Sequence, residues 1–246
     1  MTYCVGLCLK DGLVMLSDTR TNAGVDNIST FRKMHVFEVH EERVVCLMTA
    51  GNLALTQIVV SLVTEGFETA PGQIESLYTV PTMFRAAQIV GKAVRQVYAE
   101  HGEAMEAQKI GFDIGLLLGG QIKGQPMRLF QIYSAGNFIE TTEETPFLQI
   151  GEHKYGKPIL DRAAQYTTDL YDAVKLALVS MDSTLRSNLT VGLPIDLMVY
   201  KRDEYRVDLR RRITEDDAYF RNIRELWSSA LRDAYRRIPR PDWTTP

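Results

Sequence analysis

The sequence predicts an α+β fold in which two antiparallel sheets are stacked between two helical layers, an αββα sandwich. Short apolar runs occur as hairpin pairs along the 246-residue chain, and consecutive hairpins predict antiparallel sheets. Stretches with helical spacing come in pairs and do not alternate singly with strands, which argues against a doubly wound parallel sheet. The hydrophobic fraction of 45% is sufficient for a two-layer core.

The first half of the chain carries two hairpins followed by two helices. "YCVGLCL" and "LVMLSDTR" are joined at the Asp-Gly pair of "KDG", which is a strong turn signal. "MHVFEV" and "RVVCLMTAG" repeat the pattern around the polar "HEE". "NLALTQIVVSLVTEGFE" and "TMFRAAQIVGKAVRQVYAEH" then show helical spacing, so the first pair of helices should follow the second hairpin.

The second half repeats this order. "FDIGLLLGGQIKGQPMRLFQIYSAGNFIE" predicts further strands, and "HKYGKPILDRAAQ" and "DLYDAVKLALVSMDSTLR" predict two more helices. "IDLMVY" and "YRVDLR" predict a last hairpin, and "EDDAYFRNIRELWSSALRDAYRRI" predicts an amphipathic helix. Because neither a repeat nor a linker divides the chain, we expect one domain over 1–246, with 214–246 as a C-terminal helical extension.

Composition and charge exclude several functions. A formal charge of -3 gives no field that would gather nucleic acid or an anionic membrane, so neither is an expected partner. No window resembles a membrane span and the N-terminus lacks a signal-peptide layout, so we expect a cytoplasmic protein. The three cysteines are predicted to be reduced core residues, and the histidines have no metal-ligand spacing, so no metal is expected. These residues are Cys4, Cys8, Cys46, His35, His40, His101 and His153.

Several motifs in a fixed order resemble one known family. Thr2 directly follows Met1, Asp18 lies sixteen residues later in "SDTR", and Lys33 follows in "TFRKMHVF". This set resembles the proteasome β-subunit group of N-terminal nucleophile hydrolases, whose glycine turns are similar to "TAGNLALTQ" and "QIGEHKYGKPILDR". "MTYCVGL", "SDTRTNAGVDNISTFRKMHVF" and "YGKPILDR" are most similar to its bacterial Anbu branch, the ancestral β-subunit. The resemblance covers essentially the whole chain and implies the N-terminal nucleophile hydrolase fold.

The chemistry of an N-terminal threonine agrees with this resemblance. A threonine hydroxyl is a poor nucleophile and needs an adjacent base, which an N-terminal residue carries in its own α-amino group. Such an amine has a reference pKa of about 7.7 to 8.0, so part of it is neutral near neutral pH. Thr2 would become the first residue on removal of Met1. A Thr2 held rigidly at the start of a strand would suit this role.

The other candidate residues have supporting roles. Lys33 would place a positive charge near Thr2 and Asp18 would pair with Lys33. The resemblance assigns an oxyanion hole to the amide of Gly51 and a second structural acid to Asp182. The hydroxyl after that acid is open between Ser183 and Ser187. Where the family has Gly-Ser-Gly, this chain has Gly-Glu-His at 151–153, which removes the usual supporting serine and changes the local charge.

Each of these residues also has a plain structural interpretation. Asp18 could end a strand, Lys33 could be a solvated lysine, Gly51 could end a strand, and Asp182 could be an arginine-paired carboxylate. The arginines at 210–212 are interpreted as a solvated or interface surface.

The resemblance implies a threonine peptidase that acts on peptides or unfolded protein, needs no cofactor and assembles as a homo-oligomer, as a ring or an open spiral. Two alternatives remain at this stage. One is a non-catalytic assembly protein with the same fold, and the other is an N-terminal nucleophile amidase for a non-peptide amide. Retention of Met1 would favour the non-catalytic protein.

Overall fold

The computed structural model describes residues 2–22 and 28–244. Its strands are β1 (Tyr3–Cys8), β2 (Gly12–Asp18), β3 (Arg20–Asn22), β4 (Ile28–Thr30), β5 (Met34–Val39), β6 (Arg43–Gly51), β7 (Phe67–Ala70), β8 (Gln73–Glu75), β9 (Ile114–Ile122), β10 (Arg128–Ile132), β11 (Phe138–Glu140), β12 (Phe147–Gly151), β13 (Ile195–Lys201) and β14 (Leu209–Ile213). Its α-helices are α1 (Leu53–Glu65), α2 (Met83–Ala107), α3 (Lys157–Ala163), α4 (Leu170–Ser187) and α5 (Ala218–Arg237). Within the described ranges, no helix has the length and apolarity needed to span a membrane.

Two five-stranded antiparallel sheets form the centre of the molecule. The first has the strand order β12-β1-β2-β13-β14, and the second has the order β11-β10-β9-β6-β5. Strand β1 lies between β12 and β2, with Tyr3 opposite Gly151 and Cys4 opposite Ser17. Thr2 therefore stands at the end of an interior strand, where neighbours on both sides fix its position.

Three buried apolar clusters define the layers. One packs α1 and α2 onto the second sheet, with Val45 and Val59 among its members. Another packs α3 and α4 onto the first sheet, and the third fills the space between the sheets, with Met15 and Leu117 among its members. The order of layers is helices, sheet, sheet, helices. The predicted αββα sandwich is thus confirmed.

All three cysteines are free and buried, as the sequence predicts. Cys4 and Cys46 belong to the cluster between the two sheets. Burial raises the pKa of each of these two thiols well above its usual value, so both remain protonated at neutral pH. They contribute to the core as small apolar side chains.

Helix α5 docks on its own chain through its first turns only. Asp217 caps the helix by accepting a hydrogen bond from the Phe220 N–H, and Phe220 and Ile223 are buried in the cluster beneath α4. Further along, the exposed fractions of Leu226 and Tyr235 are 61% and 76%. The apolar face predicted from the sequence is therefore covered by the chain at one end and left uncovered at the other.

The structure corrects the boundary of the last hairpin. The sequence predicts a strand at "YRVDLR", whereas β14 begins only at Leu209. The connection is longer because Asp203 and Tyr205 adopt positive φ angles of 64° and 48°, and residues in that region leave the extended conformation. The Gln121 side chain holds this turn by accepting from the Asp203 N–H at 2.9 Å and donating to its carboxylate at 2.6 Å.

Some short strands were not predicted. The hairpins β3–β4 and β7–β8 have strands of three or four residues, too short for an alternating pattern to be recognised. The sequence pattern indicates β12 only as part of a glycine-led turn before a helix. Its omission matters, because β12 pairs with β1 directly beside Thr2.

Candidate active site

Thr2 lies in a cleft of about 510 Å³ at one end of the sandwich. The walls come from the β3–β4 hairpin, the end of β6 and the start of α1, and Lys33 and Gly51 line the same cleft. Only 6% of the Thr2 surface is exposed. The structure therefore places three of the five predicted site residues around one cavity. Met1, whose removal the chemistry requires, lies outside the described residues.

Hydrogen bonds on both sides fix the backbone at Thr2. The Glu152 N–H donates to the Thr2 carbonyl oxygen at 2.7 Å, and the Tyr3 N–H donates to Asp18 Oδ1 at 3.1 Å. The hydroxyl of Tyr3 is also bound, to Ser180 Oγ at 2.6 Å. Because these partners come from three different parts of the chain, the nucleophile candidate has little freedom to move.

Asp18 and Lys33 form a buried ion pair beside Thr2. Lys33 Nζ donates to Asp18 Oδ1 at 2.7 Å and to the Arg20 carbonyl oxygen at 2.6 Å, and the two side chains are 5% and 0% exposed. Burial raises the pKa of the Asp18 carboxyl, while the Lys33 ammonium and the N–H groups of Tyr3 and Gly192 act against that rise. The solvated-lysine interpretation is wrong, because Lys33 is buried and paired.

Gly51 occupies a position that only glycine fits. Its φ is +104°, and a Cβ built there would lie 2.2 Å from the Asp113 carbonyl oxygen, so any side chain would clash with backbone. The next residue, Asn52, caps α1 by accepting from the Ala54 N–H at 3.0 Å. The positive end of the α1 dipole thus faces the cleft. An oxyanion role for the Gly51 amide remains a prediction.

The structure does not bring Asp182 to this cleft. Its carboxylate is fully buried between α4 and α5, where Arg186 Nε donates to it at 3.2 Å and Arg224 Nε at 2.8 Å. In the described part of the chain it has no hydrogen bond to Thr2, Asp18 or Lys33. These contacts match the alternative interpretation, an arginine-paired carboxylate. The nearby Ser183 hydroxyl donates back to the Val179 carbonyl oxygen, away from the cleft.

Sequence reasoning missed the loop that follows α4. The Gly192 N–H donates to Asp18 Oδ2 at 3.2 Å, and the Asn188 side-chain amide donates to Glu152 Oε2 at 2.7 Å. The side-chain oxygen of Asn188, Oδ1, in turn accepts from the Thr190 N–H at 2.9 Å. Gly-Glu-His at 151–153 differs from the Gly-Ser-Gly of the family and so indicates a change at Glu152. No local sequence pattern, however, connects Glu152 to Asn188.

With this geometry established, the chain can be compared with known proteins. The family model described as "Proteasome subunit" matches residues 2–199. The chain belongs to the proteasome subunit family. The match includes Thr2, Asp18, Lys33 and Gly51 and ends before α5. Among curated proteins, none matches the chain.

Solved structures of Anbu are similar to this member of the proteasome family over nearly its whole length. A mutant of Anbu from Hyphomicrobium sp. strain MC1 is 51% identical with a TM-score of 0.90, covering 98% of this chain and 100% of that one. Anbu from Yersinia bercovieri is 49% identical with a TM-score of 0.89, at 98% and 99% coverage. The helical assembly of the Anbu complex from Pseudomonas aeruginosa is 46% identical with a TM-score of 0.91, at 99% and 100%. The expected resemblance to the Anbu branch is thus confirmed.

Proposed function

We propose that this chain is a threonine-type peptidase that uses Thr2 as its nucleophile after Met1 has been removed. The observation that carries the proposal is the placement of Thr2 at the end of an interior strand, in one cleft with Lys33 and Gly51. The Asp18–Lys33 pair at 2.7 Å supports it, because the pair supplies a fixed positive charge beside the hydroxyl. Membership of the proteasome family supports the same class of chemistry.

The reaction needs only groups of this chain and water. The Thr2 α-amine takes the hydroxyl proton while Oγ1 bonds to the peptide carbonyl carbon, and the ammonium then gives that proton to the leaving amine. Lys33 lowers the free energy of the alkoxide as it develops. The Gly51 amide, at the cleft wall, would donate to the carbonyl oxygen of the tetrahedral intermediate. Water finally releases the acyl group from Oγ1.

We also propose that the active protein is a homo-oligomer acting on peptides or unfolded segments. One relative is described as a helical assembly of the Anbu complex, which supports an open arrangement of copies. The partly uncovered apolar face of α5 supports contacts beyond a single chain. A cleft inside such an assembly would admit extended peptides and exclude folded proteins.

The proposed chemistry can be tested with an irreversible probe. Protein from the native host would be checked by intact mass for loss of Met1 and then treated with a peptidyl epoxyketone, which reacts with a hydroxyl and an adjacent amine. We expect one adduct on the wild type and on Thr2→Ser, and none on Thr2→Val, which keeps the shape of the side chain without its hydroxyl.

Two outcomes would overturn the peptidase proposal. One is hydrolysis of a fluorogenic peptide by protein that fully retains Met1. The other is undiminished hydrolysis by Thr2→Val. Processed wild type that takes up no adduct and cleaves no peptide would instead favour the non-catalytic assembly protein.

A further inference from the structure

The residue that follows β12, Glu152, is a buried carboxylate beside the start of β1. The antiparallel register pairs Cys4 with Ile150 and Tyr3 with Gly151, so the next position pairs Thr2 with Glu152. The Glu152 N–H donates to the Thr2 carbonyl oxygen at 2.7 Å, as this register requires. Glu152 is thus the residue across the ladder from the nucleophile candidate.

The backbone approach at this point is tight. Gly151 has a φ of +79°, and a Cβ built on it would lie 1.9 Å from the Thr2 carbonyl oxygen. Only glycine allows the two chains to come so close. The position of Glu152 relative to Thr2 is therefore set by the fold and does not depend on a mobile loop.

One oxygen of the Glu152 carboxylate is fixed by a hydrogen bond, and the negative charge of the carboxylate is incompletely neutralised. The Glu152 side chain is only 9% exposed, and Asn188 donates to Oε2 at 2.7 Å. Among the described residues, the cation paired with Oε1 is Lys154, whose Nζ lies at 3.2 Å and whose side chain is 64% exposed. Exposed ammonium groups offset little of a buried charge. A buried carboxylate in this state favours a second cation. The α-amino group of a processed Thr2 would supply one.

We propose that Glu152 is a positioning residue for the Thr2 α-amino group and stabilises the ammonium that forms when this amine takes the hydroxyl proton. The inference rests on the proposed function, because it requires Thr2 to be the first residue. During acylation the proton moves from Oγ1 to the amine nitrogen, and the nearby carboxylate favours the positive charge so created. Asn188 fixes the orientation of the Glu152 carboxylate. The positive charge of Lys33 has the opposite effect on the amine, because it disfavours the ammonium form.

The pH at which the Thr2 amine is protonated should depend on the opposing effects of Glu152 and Lys33. The charged and titratable groups around it come from every neighbouring element: Asp18, Arg20, Lys33, Glu152 and Lys154. The Asp18 carboxylate is engaged by Lys33 Nζ at 2.7 Å, and the Arg20 guanidinium donates to the Leu189 carbonyl oxygen at 2.9 Å. Glu152, whose cation partner Lys154 is exposed, is then the carboxylate that can hold the ammonium form, and removing its charge should make the amine neutral at lower pH.

The test measures amine labelling and needs no substrate. Processed protein, with Thr2 confirmed as first residue by intact mass, would be trace-labelled with acetic anhydride from pH 5.5 to 9, and acetylation of the N-terminal peptide quantified by mass spectrometry. For Glu152→Gln we expect the midpoint to move down by about one pH unit, giving about tenfold faster labelling below the midpoint. Glu152→Asp should restore the wild-type profile. Turnover of a fluorogenic peptide would show the same acid-side shift in kcat/KM.

Two further variants separate charge from loosening of the site. Lys154→Gln removes the competing cation and should slow labelling, opposite in direction to Glu152→Gln. Glu144→Gln, at an exposed carboxylate, should leave the profile unchanged. An unchanged midpoint in processed Glu152→Gln, or an equal shift in Glu144→Gln, would overturn this inference alone. Retention of Met1 in the wild type would overturn it together with the proposed function.

Discussion

Asp18 and Asp182 are two fully buried carboxylates with different surroundings. Asp18 is bound by a buried lysine and by the N–H groups of Tyr3 and Gly192. Asp182 is bound by the side chains of Arg186 and Arg224, which are 52% and 33% exposed. Asp18 and its partners adjoin the cleft of Thr2, whereas Asp182 and its two arginines join α4 to α5.

This difference shows that the partners of a buried carboxylate, and not its burial alone, indicate its role. Both carboxylates satisfy the rule that buried charges are paired, and both lie near the ends of long elements. The partners of Asp18 are equally buried and lead to a cavity, which is typical of groups that act on a substrate. The partners of Asp182 reach water and lie on helix surfaces, which is typical of a structural link between helices.

The largest expected effect follows from breaking the buried pair. Lys33→Ala should lower peptide turnover by about 10³-fold or more, because the developing alkoxide loses its fixed positive charge. The variant leaves Asp18 buried and unpaired, which costs about 3–5 kcal/mol of unfolding free energy. Steady-state hydrolysis of a fluorogenic peptide and circular dichroism would check these expectations.

The control for this experiment is a double variant. Lys33→Ala with Asp18→Asn removes both charges, so it should regain part of the lost stability while remaining inactive. An exposed lysine, Lys123→Ala, should change neither quantity. Unchanged turnover in folded Lys33→Ala would contradict the catalytic assignment.

The second carboxylate should behave in the opposite way. Asp182→Ala leaves Arg186 and Arg224 without their partner, but both reach solvent, so the expected loss is only about 1–3 kcal/mol of unfolding free energy. Turnover per folded molecule should stay at the wild-type level. Urea unfolding and the same peptide assay measure the two effects. A strong loss of activity in stable Asp182→Ala would restore the role of second structural acid.

The sequence was sufficient for the parts of the molecule that rest on local patterns. The hairpins β1–β2 and β5–β6 have turn residues and alternating strands, and the Thr2, Asp18 and Lys33 motifs fall on them. The partners of Asp182 could not be predicted, because Arg224 lies forty-two positions away on a separate helix. The same limit hid the contact between Asn188 and Glu152, which depends on how β12 and the loop after α4 meet.

The C-terminal helix extends the comparison to assembly. Deleting 225–246 removes the exposed Leu226, Leu231 and Tyr235 while keeping the buried first turns of α5 and the Arg224 link to Asp182. We expect smaller particles in sedimentation velocity and a loss of far-ultraviolet circular dichroism signal no larger than that of the removed part of α5. Deletion of 214–246 should also lower stability. Deletion of 239–246 alone serves as the control. A full-sized assembly after removal of 225–246 would reject the interface role.

The smallest expected effect concerns His35, two residues beyond Lys33 on β5. Burial lowers the pKa of His35, and the charges of Arg32 and Arg210 lower it further against the opposing charge of Asp196. Below about pH 6.5 the unfolded chain takes up a proton that the folded chain does not, so stability falls as the pH drops from there toward the folded-state pKa. Each pKa unit by which folding lowers the pKa of His35 corresponds to about 1.4 kcal/mol of unfolding free energy. The thermal unfolding temperature of the wild type should therefore fall by more between pH 7.5 and pH 5 than that of His35→Gln. Parallel profiles of unfolding temperature against pH for the two proteins would contradict this account.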